Sequence, residues 1–226
     1  MKSKLIAAKA FCKQEGIPYT DDEPLASHCT FRIGGNAALF AKPETEEQIS
    51  RLVAYALKED IPLLTLGKGS NILFSDDGFS GIVLHLGENF AKITMLDDTT
   101  IYAQSGATLV DLCRFAQKHS LTGMEPLFGI PGSVGGAIYM NAGAYGGEVS
   151  QVLESTTHVA FDGTIGGLAK EELALGYRHS AYSDNKGIIT GGAFTLTPGI
   201  KEEILKQMND YMQRRRDRQP LEYPSA

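Results

Sequence analysis

Gly129 to Glu148 reads GIPGSVGGAIYMNAGAYGGE, and seven of these twenty residues are glycine. No charged side chain occurs before the terminal Glu148. The stretch shows neither the 3.6-residue apolar period of an amphipathic helix nor the clean alternation of a half-buried strand, so it reads as a loop. Glycine at this density lets a backbone come close to something, or take positive φ, where a Cβ would collide. Ile130, Val134, Ile138 and Met140 are apolar and keep the segment buried. A buried, uncharged, glycine-rich loop suits a flat cofactor, offering bare N–H groups to its polar edge and apolar surface to its ring. A tight internal turn would need one or two glycines, so a ligand cradle is the favoured reading.

The rest of the composition is that of an ordinary soluble globular protein. The chain has 226 residues, 42% of them hydrophobic and 21% charged, enough for one large or two modest domains with a real core. A net charge of −6 argues against a nucleic-acid or anionic-membrane surface. Cys12, Cys29 and Cys113 are far apart, without metal-like spacing, which suggests a reducing compartment and no metal site. The apolar run near the N-terminus is broken by Lys9, and no stretch approaches the ~20 residues of a membrane span. The expectation is a cytoplasmic protein without membrane insertion.

Taken in order, Leu5, Ile6, Ala8 and Phe11 predict a helix over 3–15, and 23–28 reads as loop. CTFRIGGNAALFAKP reads as β-rich, broken at Gly34-Gly35, with Arg32 either a ligand contact or a solvated strand charge. Thr45 and Gln48 form a capping box before an apolar stripe, predicting a helix over 46–59. A strand over 63–66 follows, then a turn over 78–81, a strand over 82–86, and a hairpin of 93–96 with 100–104. Thr108 starts a further helix, near whose end His119 serves the helix dipole. Strands are expected at 152–160 and 188–197, and Ile204, Leu205, Met208, Tyr211 and Met212 predict a helix over 201–217.

Two segments carry candidate chemistry outside the cradle. The strand 63–66 opens into Gly67-Lys68-Gly69-Ser70-Asn71, whose consecutive N–H groups and short polar side chains suit a phosphate or pyrophosphate. Pro62 stands where a Walker A motif needs glycine, and no long helix follows as a dinucleotide fingerprint requires. Alone, the segment is as consistent with a hairpin-like turn as with an anion nest. The second segment, Ala174 to Tyr182, concentrates Arg178, His179, Ser180 and two tyrosines. Adjacent His179 and Ser180 point apart, and no nucleophile elbow exists, so a Ser-His hydrolase is a poor reading. Arg178 reads better as an anion clamp or charge stabiliser than as half of a structural ion pair.

Taken together, CTFRIGGNA, LGKGSNIL, GIPGSVGGAIYMNAGAYGGE, LGYRHSAY and RRRDRQPLEYPSA resemble the UDP-N-acetylenolpyruvoylglucosamine reductase (MurB) family, in its second, shorter type. The resemblance covers nearly the whole chain. It implies an α+β, two-lobed FAD-binding fold like that of vanillyl-alcohol oxidase and its PCMH-like relatives. The expected division is a first lobe over 1–78, a second lobe with the flavin cradle over 79–200, and a C-terminal helix with the start of a linker over 201–226. It implies that Gly67, Lys68, Gly69, Ser70 and Asn71 hold the FAD pyrophosphate. Ile130, Pro131, Gly132, Ser133, Val134 and Gly136 would line the isoalloxazine, with Asn141, Gly143, Ala144 and Tyr145 completing the cradle. In the family, NADPH reduces the flavin, which passes hydride to the enolpyruvyl group of UDP-N-acetylglucosamine enolpyruvate to give UDP-N-acetylmuramate. Arg178 matches the catalytic arginine that stabilises the enolate, and Arg215 an arginine near flavin or substrate. The family pattern continues past the last residues of this chain, with a glycine, then the Ser or Cys that protonates the substrate, and a domain carrying a Glu that assists Arg178. By register Ser225 is not that donor. The resemblance thus implies a flavin core with its lid domain absent and its turnover weak or lost. The alternative is a non-catalytic flavin- or nucleotide-binding module. An FAD-linked oxidase of the wider superfamily is disfavoured by the wording of the cradle.

Overall fold

The structure, a computed structural model, describes residues 1–184, 186–220 and 223. The last residues of RRRDRQPLEYPSA, Ser225 among them, lie outside the described residues. The first lobe begins with helix α1 (Lys2–Gln14) and strands β1 (Tyr19–Pro24) and β2 (Asn36–Ala41). Helix α2 (Glu46–Lys58), β3 (Leu63–Leu66) and β4 (Phe79–His85) complete it. The strand order is β1-β2-β4-β3. The β1–β2 pair is antiparallel, whereas β4 runs parallel to both of its neighbours. β4, which follows residue 78, is an inner strand of the first sheet. The segment 23–28, expected as loop, is the end of β1 and a 3-10 turn over Leu25–His28.

The two faces of this sheet have different tasks. Leu39, Ile82 and Leu84 face α1 and α2, meeting Ala8, Ile49, Leu52 and Val53. Phe40, Val83 and Leu66 face the other way, into a small core closed by Leu25, Cys29 and Phe74 from loops. Side chains alternate across a pleat, so one strand pattern anchors the helices and the loops that build the site. Thr45 caps α2 by accepting from the Gln48 N–H at 3.2 Å. Gln48 does not close the expected box onto Thr45. Its Oε1 accepts from the Glu44 N–H at 2.8 Å, and its Nε2 donates to the Gly16 carbonyl at 3.1 Å, joining α2 to the end of α1.

The second lobe starts with hairpin β5 (Ile93–Met95) and β6 (Thr100–Gln104), then helix α3 (Leu109–Lys118). After β7 (Leu121–Thr122), the glycine-rich stretch forms helix α4 (Val134–Tyr139) and a small ladder of β8 (Gly143–Ala144) with β9 (Gly147–Glu148). Strands β10 (Leu153–Val159), β11 (Ile165–Ala169), β12 (Ile188–Thr195) and β13 (Thr197–Pro198) precede helix α5 (Lys201–Arg218). The main sheet has order β11-β10-β12-β6-β5, all antiparallel. Helices α3, α4 and α5 cover it through Leu109, Leu112, Val134, Ile138, Ile204 and Met208. The glycine-rich stretch is thus not all loop. Val134, Ala137 and Ile138 are buried at i, i+3, i+4 spacing, but one and a half turns containing two glycines are too short for the period to stand out in sequence.

Helix α2 joins the lobes. Ser50 Oγ donates to the Gly163 carbonyl at 2.5 Å, Thr190 Oγ1 bonds the Glu46 carboxylate, and Val159 and Ile188 enter the core under α1 and α2. No helix among the described residues is long and apolar enough to cross a membrane.

Leu109 is fully buried between α3 and the sheet. Leu109→Ala should cost about 2–5 kcal/mol, read as a lower urea midpoint at unchanged m-value. A second expectation concerns pH. His85 ends β4 on the loop side of the first sheet, with its ring 5.0 Å from Phe40 and 5.6 Å from His28. Burial, then the neighbouring His28 and Lys42, lower its pKa to about 4, against an opposing pull from Glu23. The unfolded chain takes up this proton near the ordinary value of 6.5. The neutral ring therefore contributes stability that is complete above 6.5 and is lost as pH falls toward 4. For this partly exposed group the loss is on the order of 2 kcal/mol. The urea midpoint of His85→Phe should fall less steeply than that of wild type between about pH 7 and pH 4.5, and parallel slopes would contradict this.

Candidate active site at the lobe junction

Because β3 and β4 are parallel, the segment after Leu66 cannot be the turn of a hairpin between them, which removes one of its two sequence readings. It runs instead along the loop face of the first sheet and meets the second lobe. A Cβ built on Gly67 would collide with Ser133 Oγ and crowd its Cβ at 3.2 Å, so the Gly67 backbone lies directly against the Ser133 side chain. Ser133 is itself fixed: its Oγ accepts from the Gly136 N–H, and it bridges to Thr108. Thr30 of CTFRIGGNA donates its N–H to the Gly69 carbonyl at 3.0 Å. The N–H groups of Lys68 to Asn71 have no partner among the described residues. Nearby, the Thr30 hydroxyl is buried without a hydrogen-bond partner, an arrangement that costs free energy unless a ligand or water completes it.

Gly132 adds a second sign of a ligand. A Cβ there would come no closer than 3.8 Å to Ile130 and 3.9 Å to Ser70 Oγ. Its φ is not in the left-handed range, so neither packing nor backbone requires glycine at this position. Unpartnered amides, an orphaned hydroxyl and an unfilled space beside Ser70 fit a phosphate-bearing cofactor with a flat ring. Not every expected contact is equally placed. The Val134 side chain is fully buried in the second core and its N–H donates to the Ala107 carbonyl, so it supports the wall from behind and does not line it.

The same segment continues past α4 into a cleft of about 380 Å³. Asn141, Tyr145, Glu148 and Gln151 line it from one side, and Tyr177 and Arg178 from the other. Gly143 and Ala144 of the expected cradle are also in its wall. Arg178 sits near the tip of a turn closed by two bonds, from the Gly176 N–H to the His179 carbonyl at 3.1 Å and back at 3.2 Å. Its φ is +55°, a region uncommon for a long side chain and frequent at functional sites. Among the described residues no carboxylate pairs with Arg178. The guanidinium rests 5.8 Å from the ring of Tyr177, which is 91% exposed. His179 faces Asp184 at 3.7 Å, while the Ser180 hydroxyl donates to the Tyr139 carbonyl at 2.8 Å. The two point to different partners, as a Ser-His hydrolase could not tolerate.

Two expected residues have assignments that sequence alone did not give. Arg215 on α5 donates to the Gly129 carbonyl at the start of the cradle. Tyr145 stacks on Tyr211 of α5, with ring centroids 5.0 Å apart. Arg32 lies before β2, exposed at φ +56°, which excludes the strand-charge reading. Tyr182 hydrogen-bonds Thr156 at 2.6 Å, and its burial raises its pKa to about 12, so it is a neutral anchor for the segment after Arg178. Thr30 and Glu148 were visible in the quoted motifs, but nothing in their spacing marked them out.

The comparisons with known proteins agree with this geometry. Residues 37–168 match the family model described as FAD binding domain. UDP-N-acetylenolpyruvoylglucosamine reductase 2 of Bacillus cereus is 45% identical over 205 residues, which are 91% of this chain and 67% of that protein. The crystal structure of the Thermus caldophilus reductase (MurB) superposes with a TM-score of 0.74 at 32% identity, covering 90% of this chain and 70% of that one. A chitooligosaccharide oxidase shares the fold, with a TM-score of 0.65 at 17% identity over 84% of this chain and 43% of that one. The chain, with its FAD-binding domain, belongs to the UDP-N-acetylenolpyruvoylglucosamine reductase family.

Proposed function

We propose that this chain holds FAD along the wall formed by residues 67–71 and 130–136. With NADPH as reductant, it reduces the enolpyruvyl double bond of UDP-N-acetylglucosamine enolpyruvate to give UDP-N-acetylmuramate. The observation that carries this reading is the continuity of residues 130–145. One end of that segment meets the unpartnered N–H groups after β3, and the other shares a cleft with Arg178. FAD, when bound, supplies a carrier that accepts hydride from NADPH and delivers it to carbon. The chain's own residues bind, orient and stabilise charge. The amides of Lys68 to Asn71, with the Ser70 and Thr30 hydroxyls, form the anion nest for the pyrophosphate. Ile130, Pro131 and Gly132 give apolar surface and backbone to the ring, with Ser133 holding the wall against Gly67. Sheet topology supports a first lobe that runs on through β4 and a second that carries the cradle.

Arg178 has the charge-stabilising role. Negative charge gathers on the substrate carboxylate as the adjacent double bond accepts hydride. A fixed, otherwise uncommitted guanidinium there lowers the barrier by binding the enolate more strongly than the ground state. Arg215 holds Gly129 through one of its five N–H donors and so fixes where the cradle begins, leaving the others for flavin or substrate.

The test is anaerobic reconstitution with FAD, reduction by NADPH, then addition of the enolpyruvyl UDP-sugar. The flavin band should bleach and then return, and a band that stays bleached would leave a flavin-binding module without this activity. Arg178→Ala should slow the return ~10²–10³-fold with FAD content unchanged. Return at the wild-type rate would remove Arg178 from the role.

A further inference from the structure

Asn141 was expected among the flavin contacts, yet its surroundings give it a different task. It is 3% exposed and has a φ of +40°, which asparagine tolerates better than most residues. Both ends of its carboxamide are bonded, each to a different segment. Nδ2 donates to the Gly176 carbonyl at 3.1 Å, and Oδ1 accepts from the Ser150 N–H at 2.9 Å. Gly176 is the first residue of the four-residue turn that presents Arg178. Two residues before Asn141, the Tyr139 carbonyl accepts from the hydroxyl of Ser180, which is 0% exposed. The chain entering the turn and the chain leaving it are thus both fastened to the end of the cradle. Between these fastenings Tyr177 stands almost fully exposed, so the root of the turn, not its tip, sets where the guanidinium points.

We propose that Asn141 is the positioning residue for Arg178: its carboxamide fixes the Gly176–His179 turn to the flavin cradle, so that cofactor and guanidinium keep one relative geometry. The proposal rests on the reading of Arg178 as the charge stabiliser. A displacement of about 1 Å in such a group can cost on the order of 10²-fold in rate, so the bond at Gly176 matters although Asn141 touches no reacting atom. Asn141→Gly keeps the positive φ accessible and deletes both bonds. Asn141→Asp keeps the shape and the bond from Ser150, but sets a carboxylate oxygen against the Gly176 carbonyl in place of a donor.

The experiment is a double-mutant cycle on the FAD-loaded full chain. It measures substrate affinity from the flavin absorbance change, the rate of substrate-driven reoxidation, and FAD affinity. Wild type, Asn141→Gly, Asn141→Asp, Arg178→Ala and the Asn141→Gly/Arg178→Ala pair are compared. Each variant at Asn141 should weaken substrate binding or slow reoxidation by roughly 10–100-fold, with FAD affinity within about threefold of wild type. The double variant should be no worse than Arg178→Ala alone, because a residue acting through Arg178 has nothing left to position. Additive losses would overturn the proposal, as would a loss of FAD affinity with substrate binding intact, which would make Asn141 a flavin contact. A silent Arg178→Ala would defeat the reading of Arg178 itself, a failure recognisable whatever the Asn141 variants do.

Discussion

The approach of Gly67 to Ser133 is the constraint on which the site depends. Residue 67 leaves the edge strand of the first sheet, and residue 133 caps the helix that opens the cradle in the second lobe. A methyl group on residue 67 would displace the Ser133 hydroxyl from its cap on α4 and crowd the Ser133 Cβ, at the point where the two proposed cofactor segments meet. Lobe contacts elsewhere are made by side chains from α2, which can adjust. This contact sets the Gly67 backbone against the short Ser133 side chain, whose hydroxyl also caps α4. Glycine at 67 therefore lets the loop after β3 lie directly against the cap of α4.

From that joint the site extends in two directions. Toward the first lobe, the loop after β3 is held by the Thr30 N–H and by the small core of Phe40, Val83 and Leu66 behind it. Toward the second, the cradle is held at its start by Arg215 on Gly129, in its middle by the cap of α4, and at its end by Asn141 and Tyr139. Rigid sheets thus carry irregular loops whose own hydrogen bonds fix their geometry, a common way to place function on a scaffold. Four of the eight non-glycine residues at positive φ, Arg32, Asn141, Tyr145 and Arg178, belong to the site motifs. Such backbone costs on the order of 1–3 kcal/mol per residue and persists where the surroundings over-determine it.

Much of this was legible in the sequence, for identifiable reasons. Helices α2 and α3 have threonine caps and apolar stripes, signals that are local and strong; the extent of α2 matched to within a residue, and α3 begins just after Thr108. The site motifs were legible because glycine clusters are rare and have few uses. Short elements were not: β1 (YTDDEP) carries three successive acidic residues and no apolar alternation, and α4 is hidden by its own glycines. Nor could spacing reveal that β4 belongs with the first sheet, because a parallel pairing depends on a crossover far from the strand itself. The partners of Asn141 and Arg215 are 35 and 86 residues away in sequence. They became visible only when the fold brought them together.

The central claim is that the wall formed by residues 67–71 and 130–136 is shaped for a cofactor and not only for packing, and Gly132 tests it most directly. Its environment leaves room for a methyl group within the protein itself. The account predicts that Gly132→Ala leaves thermal unfolding of the FAD-free chain unchanged or slightly improved, by the usual effect of replacing glycine. It predicts FAD binding weakened by about 1–3 kcal/mol of steric conflict, or roughly 5–150-fold. An alanine variant that binds FAD as tightly as wild type would contradict the account, because the space beside Ser70 would then have no ligand to hold.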